Sequence, residues 1–249
     1  MSNEAHQVRF ETSPKRVRAL VGGRTVFDTT AARLVWEHPY YPTYYVPRAD
    51  VGAELRENGD SMERDGLGKG RSLDLVVDGR VVAEAALAYD DGTVPELRDL
   101  VRPRWGAMDE WLEEDEPVYV HPRDPHKRVD ILQSSRHVRV VVDGVTIAES
   151  NKPTLLFETS LPTRYYLPVA DVRTDLLRPT ESETRCPYKG TASWWSLDAD
   201  GTVHEDIVWM YRLPTPESHR IAGLLAFYDE HVDVYVDGEL QERPDSPFA

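Results

Sequence analysis

The residue types best suited to chemistry gather in the C-terminal half of the chain. Thr184-Arg185-Cys186-Pro187-Tyr188-Lys189-Gly190 places the single cysteine among cations. A thiol becomes a nucleophile when nearby positive charge favours its thiolate, so Cys186 and Lys189 form the expected catalytic pair if the chain turns at Pro187-Tyr188. The competing reading is that Cys186 is a buried small hydrophobe. Leu161–Val172 adds Arg164, whose guanidinium can fork onto a carboxylate or phosphate, together with Tyr166 and Asp171. Pairing of Arg164 with Glu158 or Asp171 is the alternative. Tyr188, Trp195 and Trp209 offer aromatic walls. The expected ligand-binding set is therefore Arg164, Tyr166, Asp171, Tyr188, Trp195 and Trp209, around an anionic or planar small molecule. His204 beside Glu205 and Asp206 has the makings of a general base, but it follows the turn Asp198-Ala199-Asp200-Gly201 and is expected to be exposed.

These segments belong to a duplicated unit. Residues 17–51 match residues 138–172 without a gap, 121 positions apart, with 13 of 35 pairs identical. Unrelated stretches would share roughly two, so the chain holds two copies of one domain. Both copies keep a Tyr-Tyr-x-Pro-x-x-Asp skeleton, Tyr44 to Asp50 and Tyr165 to Asp171, which suits a structural task. Arg164 meets Thr43 in the first copy. Aligning Lys189-Gly190 with Lys69-Gly70 sets Cys186 against Gly66 and Tyr188 against Gly68, which leaves the first copy without the thiol and makes the second the working one.

Composition narrows the partners. With 44 acidic and 29 basic side chains, the net charge of −15 disfavours nucleic acid and anionic membrane and leaves a small-molecule ligand as the expected partner. One cysteine excludes an intramolecular disulfide, and no long apolar span or signal-like segment is visible, so a cytoplasmic protein is expected. His121, Asp124 and His126 have a metal-ligand spacing, but the prolines around them favour an extended connector, and no metal site is expected. Walker A, dinucleotide-binding, Gly-x-Ser-x-Gly and His-Glu-x-x-His signatures are all missing, and the cofactor stays unassigned.

The elements that must hold these residues read as strands. Gly22-Gly23 and Asp143-Gly144 sit between alternating apolar residues and predict a two-strand hairpin at the start of each copy. Arg33–Glu37 and Thr154–Glu158 predict a third strand, and the Tyr-Tyr-x-Pro segments a fourth. Thr215-Pro216-Glu217, followed by Ile221, Leu224, Leu225 and Tyr228, predicts a helix over 216–229; Trp105, Met108 and Leu112 predict its equivalent over 104–113. The expected organisation is a tail (1–13), a divergent first copy (14–120), a Pro-rich linker (121–130), a second copy carrying the site (131–240) and a C-terminal tail (241–249).

His126-Lys127-Arg128-Val129-Asp130, Thr163–Pro168, Thr184–Gly190 and Ala226-Phe227-Tyr228 closely resemble the bacterial domain-of-unknown-function family number 427, sometimes labelled nucleotidyltransferase-like. The resemblance covers 126–240 closely and 14–120 loosely. It implies a mainly β fold of two tandem antiparallel β-tent-like domains, each a folded-over sheet with one packed helix, similar to the Mss-four and methionine sulfoxide reductase B scaffolds. Those relatives hold zinc through paired Cys-x-x-Cys motifs, which this sequence lacks. Two functions follow as expectations: a ligand-binding protein with its pocket in the second copy, extending to a Cys/Lys-dependent or nucleotidyltransferase-like enzyme, or a noncatalytic interaction protein.

Overall fold

The structure is a computed structural model that describes residues 8–64, 66–89, 94–199 and 201–246. Asp200, named above in its turn, lies outside the described residues, as do 1–7 and 247–249 of the expected tails. The chain forms two compact units, residues 1–124 and 125–249.

In the first unit the strands are β1 (Arg9–Thr12), β2 (Val17–Val21), β3 (Arg24–Thr29), β4 (Arg33–Trp36), β5 (Thr43–Pro47), β6 (Glu54–Arg64), β7 (Gly68–Val77), β8 (Arg80–Ala88), β9 (Leu100–Pro103), β10 (Glu110–Glu113) and β11 (Glu116–Pro117). They pair antiparallel as one sheet of order β1-β4-β5-β9-β8-β7-β6 and a second of order β11-β10-β2-β3. Residues 9–12, expected to be tail, are held as an edge strand by pairing with Arg33–Trp36. Gly22 and Gly23 both take positive φ (58° and 75°), the backbone of a tight hairpin whose twist matches its strands.

The second unit repeats this order with β12 (Val129–Gln133), β13 (Val138–Val142), β14 (Val145–Ser150), β15 (Thr154–Glu158), β16 (Arg164–Tyr166), β17 (Leu177–Cys186), β18 (Gly190–Ala199), β19 (Thr202–Pro214), β20 (Leu225–Phe227), β21 (Asp233–Val236) and β22 (Glu239–Leu240). Its sheets run β12-β15-β16, β17-β18-β19-β20 and β14-β13-β21-β22. The first two meet through one bridge, Leu167 with Leu225, at the place where β5 and β9 pair in the first unit. Each unit buries its own apolar core, centred on Val17, Phe27, Leu73 and Val101 in one and on Val138, Ile147, Leu197 and Phe227 in the other.

Both expected helices are cut short and take 3-10 form. Trp105–Ala107 forms one turn before the chain becomes β10, which pairs with β2. Pro216–Ile221 forms the other; Gly223 then takes φ +72°, and Leu225, Ala226 and Phe227 pair with Met210, Trp209 and Val208. Sheet pairing overrides the helical spacing of Ile221, Leu224 and Leu225. The two turns are also not equivalents. Pro216–Ile221 precedes β20, so its topological counterpart is the 3-10 turn Pro95–Leu97 before β9, whereas Trp105–Ala107 follows β9.

Strand register corrects the alignment of the cysteine segment. Cys186 pairs with Gly190 across β17–β18, and Arg64 pairs with Gly68 across β6–β7. Gly68 and Gly190 both need positive φ (81° and 99°). Cys186 therefore corresponds to Arg64, Tyr188 to Gly66 and Lys189 to Leu67; the Lys-Gly match was two residues out of step.

Candidate functional site

A buried carboxylate stands at the end of the third strand in both copies. Glu37 follows β4, and Glu158 ends β15 at the same position of the repeat. A buried carboxylate persists only where cations and donors meet it. Glu37, with its side chain 4% exposed, accepts hydrogen bonds from Tyr45 Oη (2.8 Å), Arg64 Nη1 (2.8 Å) and Arg102 Nη2 (3.0 Å), and Arg102 Nε closes the fork. Burial pushes Glu37 up, but the Arg102 hydrogen bond and charge, with Tyr45 and Arg64 behind them, outweigh it and hold the carboxyl below its ordinary value. Glu37 is therefore a fixed anion at neutral pH. Two guanidiniums against one carboxylate leave the cluster with a net positive charge. Arg64 Nε is buried beside it with no hydrogen-bond partner among the described residues.

This cluster forms one wall of a cavity of about 290 Å³. The opposite walls are aromatic. Trp105 and Trp111 stack with centroids 4.8 Å apart and planes 9° apart, and Tyr41 stacks on His121 at 4.1 Å and 12°. The turn between β4 and β5 supplies Tyr41, β10 supplies Trp111, and the chain beyond β11 supplies Val120, His121 and Pro122. That last stretch was expected to be a linker. Instead, Asp124 is buried and accepts the Trp36 indole hydrogen (2.8 Å), which pins it to the first unit.

In the second copy Lys189 takes the cationic part, pairing with Glu158 in a buried salt bridge. Burial lowers the Lys189 pKa, but Cys186, Glu158 and Tyr166 outweigh that and leave it raised. Lys189 is thus an ammonium at neutral pH, a fixed charge beside Cys186. Cys186 is half-buried. Tyr166 is fully buried and pushed up to about 12, mainly by burial, and accepts the Trp209 indole hydrogen at 3.2 Å. The backbone oxygen of buried Tyr188 accepts from Thr215 Oγ1 and Ser218 Oγ. Trp195 is half-buried with Arg212 above its ring.

Arg164 pairs with neither Glu158 nor Asp171. Its guanidinium forks onto Glu230 (2.7 and 2.5 Å), with Asp229 at 3.4 Å. Asp171 accepts from Ser150 Oγ (2.6 Å), as Asp50 accepts from Thr29 Oγ1 (2.6 Å), a bond repeated in both copies. His204 meets Asp143 of the hairpin turn at 2.7 Å. A second cavity, of about 150 Å³, lies at the repeat-equivalent place of the first, lined by Thr163, Tyr165, Asp229, Val234, Gln241 and Glu242 among others. None of the residues expected to line a pocket lines this one. Among the described residues no group of three or more His, Cys, Asp or Glu side chains could hold a metal ion.

Sequence reasoning passed over Glu37, Arg64, Arg102 and Trp111 as site residues, read Trp105 only as part of a helix, and weighed His121 only as a metal ligand. One signal was available: Glu37 and Glu158 are an identical pair in the gapless match, and a carboxylate retained in an apolar strand needs a partner.

Fold and site together define a tandem-repeat, mainly β protein in which each copy carries a buried carboxylate–cation cluster. The two repeats, residues 9–114 and 130–238, both match the family described as Domain of unknown function (DUF427), and the chain belongs to that family. No curated protein matches it. No helix among the described residues is long and apolar enough to cross a membrane.

Proposed function

We propose that the protein binds a planar, anionic small molecule in the cavity of its N-terminal copy. The observation that carries this reading is the convergence of Arg64 and Arg102 on one carboxylate at the wall of an aromatic-lined cavity. Glu37 satisfies only part of the two guanidiniums, and the Arg64 side chain stays about 34% exposed at the cavity, so an incoming carboxylate or phosphate can take a charge-assisted hydrogen bond there. Trp105 and the Tyr41–His121 pair offer flat faces to a ring. The volume suits a ligand at the small end of ordinary binding pockets. The expected ligand class is the one read from the sequence; the copy that carries it is the other one.

The test is calorimetric titration of the full chain with benzoate, nicotinate and a nucleoside monophosphate, with benzamide as the neutral counterpart. Saturable binding of an acid, weak or absent binding of the amide, and at least a tenfold loss in Arg64→Gln and in Trp105→Ala are expected. Equal affinity for benzamide and benzoate, or binding that survives both substitutions, would remove the reading. The nucleoside monophosphate also tests the family's nucleotidyltransferase-like label.

A further inference from the structure

The cavity of the C-terminal copy has the opposite electrostatic sense. Asp229 follows β20 and stands on its wall, only 6% exposed. The nearby Arg164 Nη1 lies 3.4 Å from Asp229 but 2.7 Å from Glu230, which takes both ends of the guanidinium. Glu230 is in turn capped by Ser246 Oγ (2.5 Å), so its claim on Arg164 is reinforced. Across the cavity the chain after β22 brings Glu242, exposed at the rim, and Gln241, whose backbone N–H is tied to Val234 (2.8 Å). Tyr165 forms another wall. Asp229 and Glu230 thus share the Arg164 guanidinium, and Glu242 adds a further carboxylate at the rim of the cavity that opens beside Asp229.

We propose that this cavity is a site for a small organic cation, a primary ammonium or guanidinium of about five non-hydrogen atoms, whose charge completes the neutralisation that Arg164 gives Asp229 only in part. The size follows from 150 Å³, roughly the volume of five liquid waters. An anion is disfavoured because Glu230 already holds the guanidinium. The Tyr165 ring adds a face on which a cation can rest.

The state of Asp229 supports this. Burial pushes it up to about 7, Arg164 opposing and Glu230 adding to the rise. A proton and an organic cation then compete for the same carboxylate. The other groups facing it move little near neutrality: Arg164 is raised, Glu230 is held below its ordinary value and Tyr165 is raised. Binding should therefore tighten about tenfold from pH 6 to pH 8, as the Asp229 proton leaves.

The experiment is titration of the full chain with n-butylammonium and methylguanidinium, with n-butanol as the neutral counterpart, at pH 6, 7 and 8. Saturable cation binding that strengthens with pH is expected, with at least a tenfold loss and no pH dependence in Asp229→Asn. Should that variant unfold, Glu242→Gln changes only an exposed rim charge and should weaken binding roughly two- to threefold, more at low salt. Absence of saturation at pH 8, equal binding of n-butanol, or unchanged affinity in both variants would overturn the proposal.

Discussion

The two cavities occupy one place in a repeated fold and are lined for opposite charge. In the N-terminal copy Arg64 and Arg102 outnumber Glu37 beneath stacked aromatic rings; in the C-terminal copy Asp229 and Glu242 face a cavity half the size, and Arg164 is spent on Glu230. Around both, the scaffold is unchanged: strand order, hairpin turns, and the hydroxyl-to-carboxylate bond of Thr29–Asp50 and Ser150–Asp171. Identity between the copies therefore marks what holds the fold. Divergence marks what lines the two cavities.

The sharpest way to break the comparison is to remove the shared carboxylate. Glu37→Gln leaves Arg102 buried without its counter-charge, and since a guanidinium cannot shed its proton the cost should be about 3–5 kcal/mol by urea denaturation. Glu158→Gln should cost less, roughly 2–3 kcal/mol, because Lys189 can neutralise by losing a proton. Equal costs would mean that the two clusters are held by something other than charge.

Asp229 gives the next effect. Its folded pKa of about 7 stands above its ordinary value of 3.8, so between these limits the folded state holds a proton that the unfolded state has lost. Stability then falls as pH rises through this window, by up to about 1.4 kcal/mol per pH unit from this group. Asp229→Asn should flatten that fall in thermal unfolding measured from pH 4 to 8. Glu37, whose pKa is depressed, acts in the opposite sense: its contribution is present above pH 4.5 and is lost as the pH falls through its folded value.

Packing separates the copies more gently. Gly70 lies against the Tyr89 ring, where an added Cβ would meet ring atoms at 2.8 Å; register sets Ala192 and Tyr211 at the matching places. Gly70→Ala should cost about 1–3 kcal/mol by overpacking, and Ala192→Gly about 0.5–1 kcal/mol through backbone entropy. Smallest of all are the surface pairs at equivalent positions, Arg16–Asp28 and His137–Glu149. Asp28→Asn and Glu149→Gln should each change stability by less than about 1 kcal/mol, and less again in high salt.

Much of the scaffold was legible because it is locally written. Asp143-Gly144 specifies a turn by its own backbone preferences, and the alternation in Val138–Val142 specifies a strand with a buried face. The helix over 216–229 was misread because Leu225–Phe227 satisfies its backbone through β19, a partner that helical spacing does not reveal. The site was least legible. Glu37 draws its cations from Arg64 and Arg102, 27 and 65 residues away, and nothing near Glu37 in the sequence announces either. The thiol segment drew attention by composition, yet its register depended on Gly68 and Gly190, two positive-φ positions that a side-chain alignment does not weigh.

The single bridge between Leu167 and Leu225 has a mechanical meaning. In the first copy the same seam carries two residue pairs and a further bond from Arg48 N to Asp99 O; in the second, only the Leu167–Leu225 pair is made, with Pro168 following where Pro47 follows in the first. The seam is the crease along which the sheet is divided, and in the C-terminal copy it is nearly a hinge. Amides of Leu167 and Leu225 should exchange with solvent by small local openings while those in β18 and β19 wait for global unfolding. Arg164 sits three residues before that crease and Asp229 four residues after it, so the ion contacts of Arg164 with Glu230 and Asp229 already span the fold line and act as a latch on it.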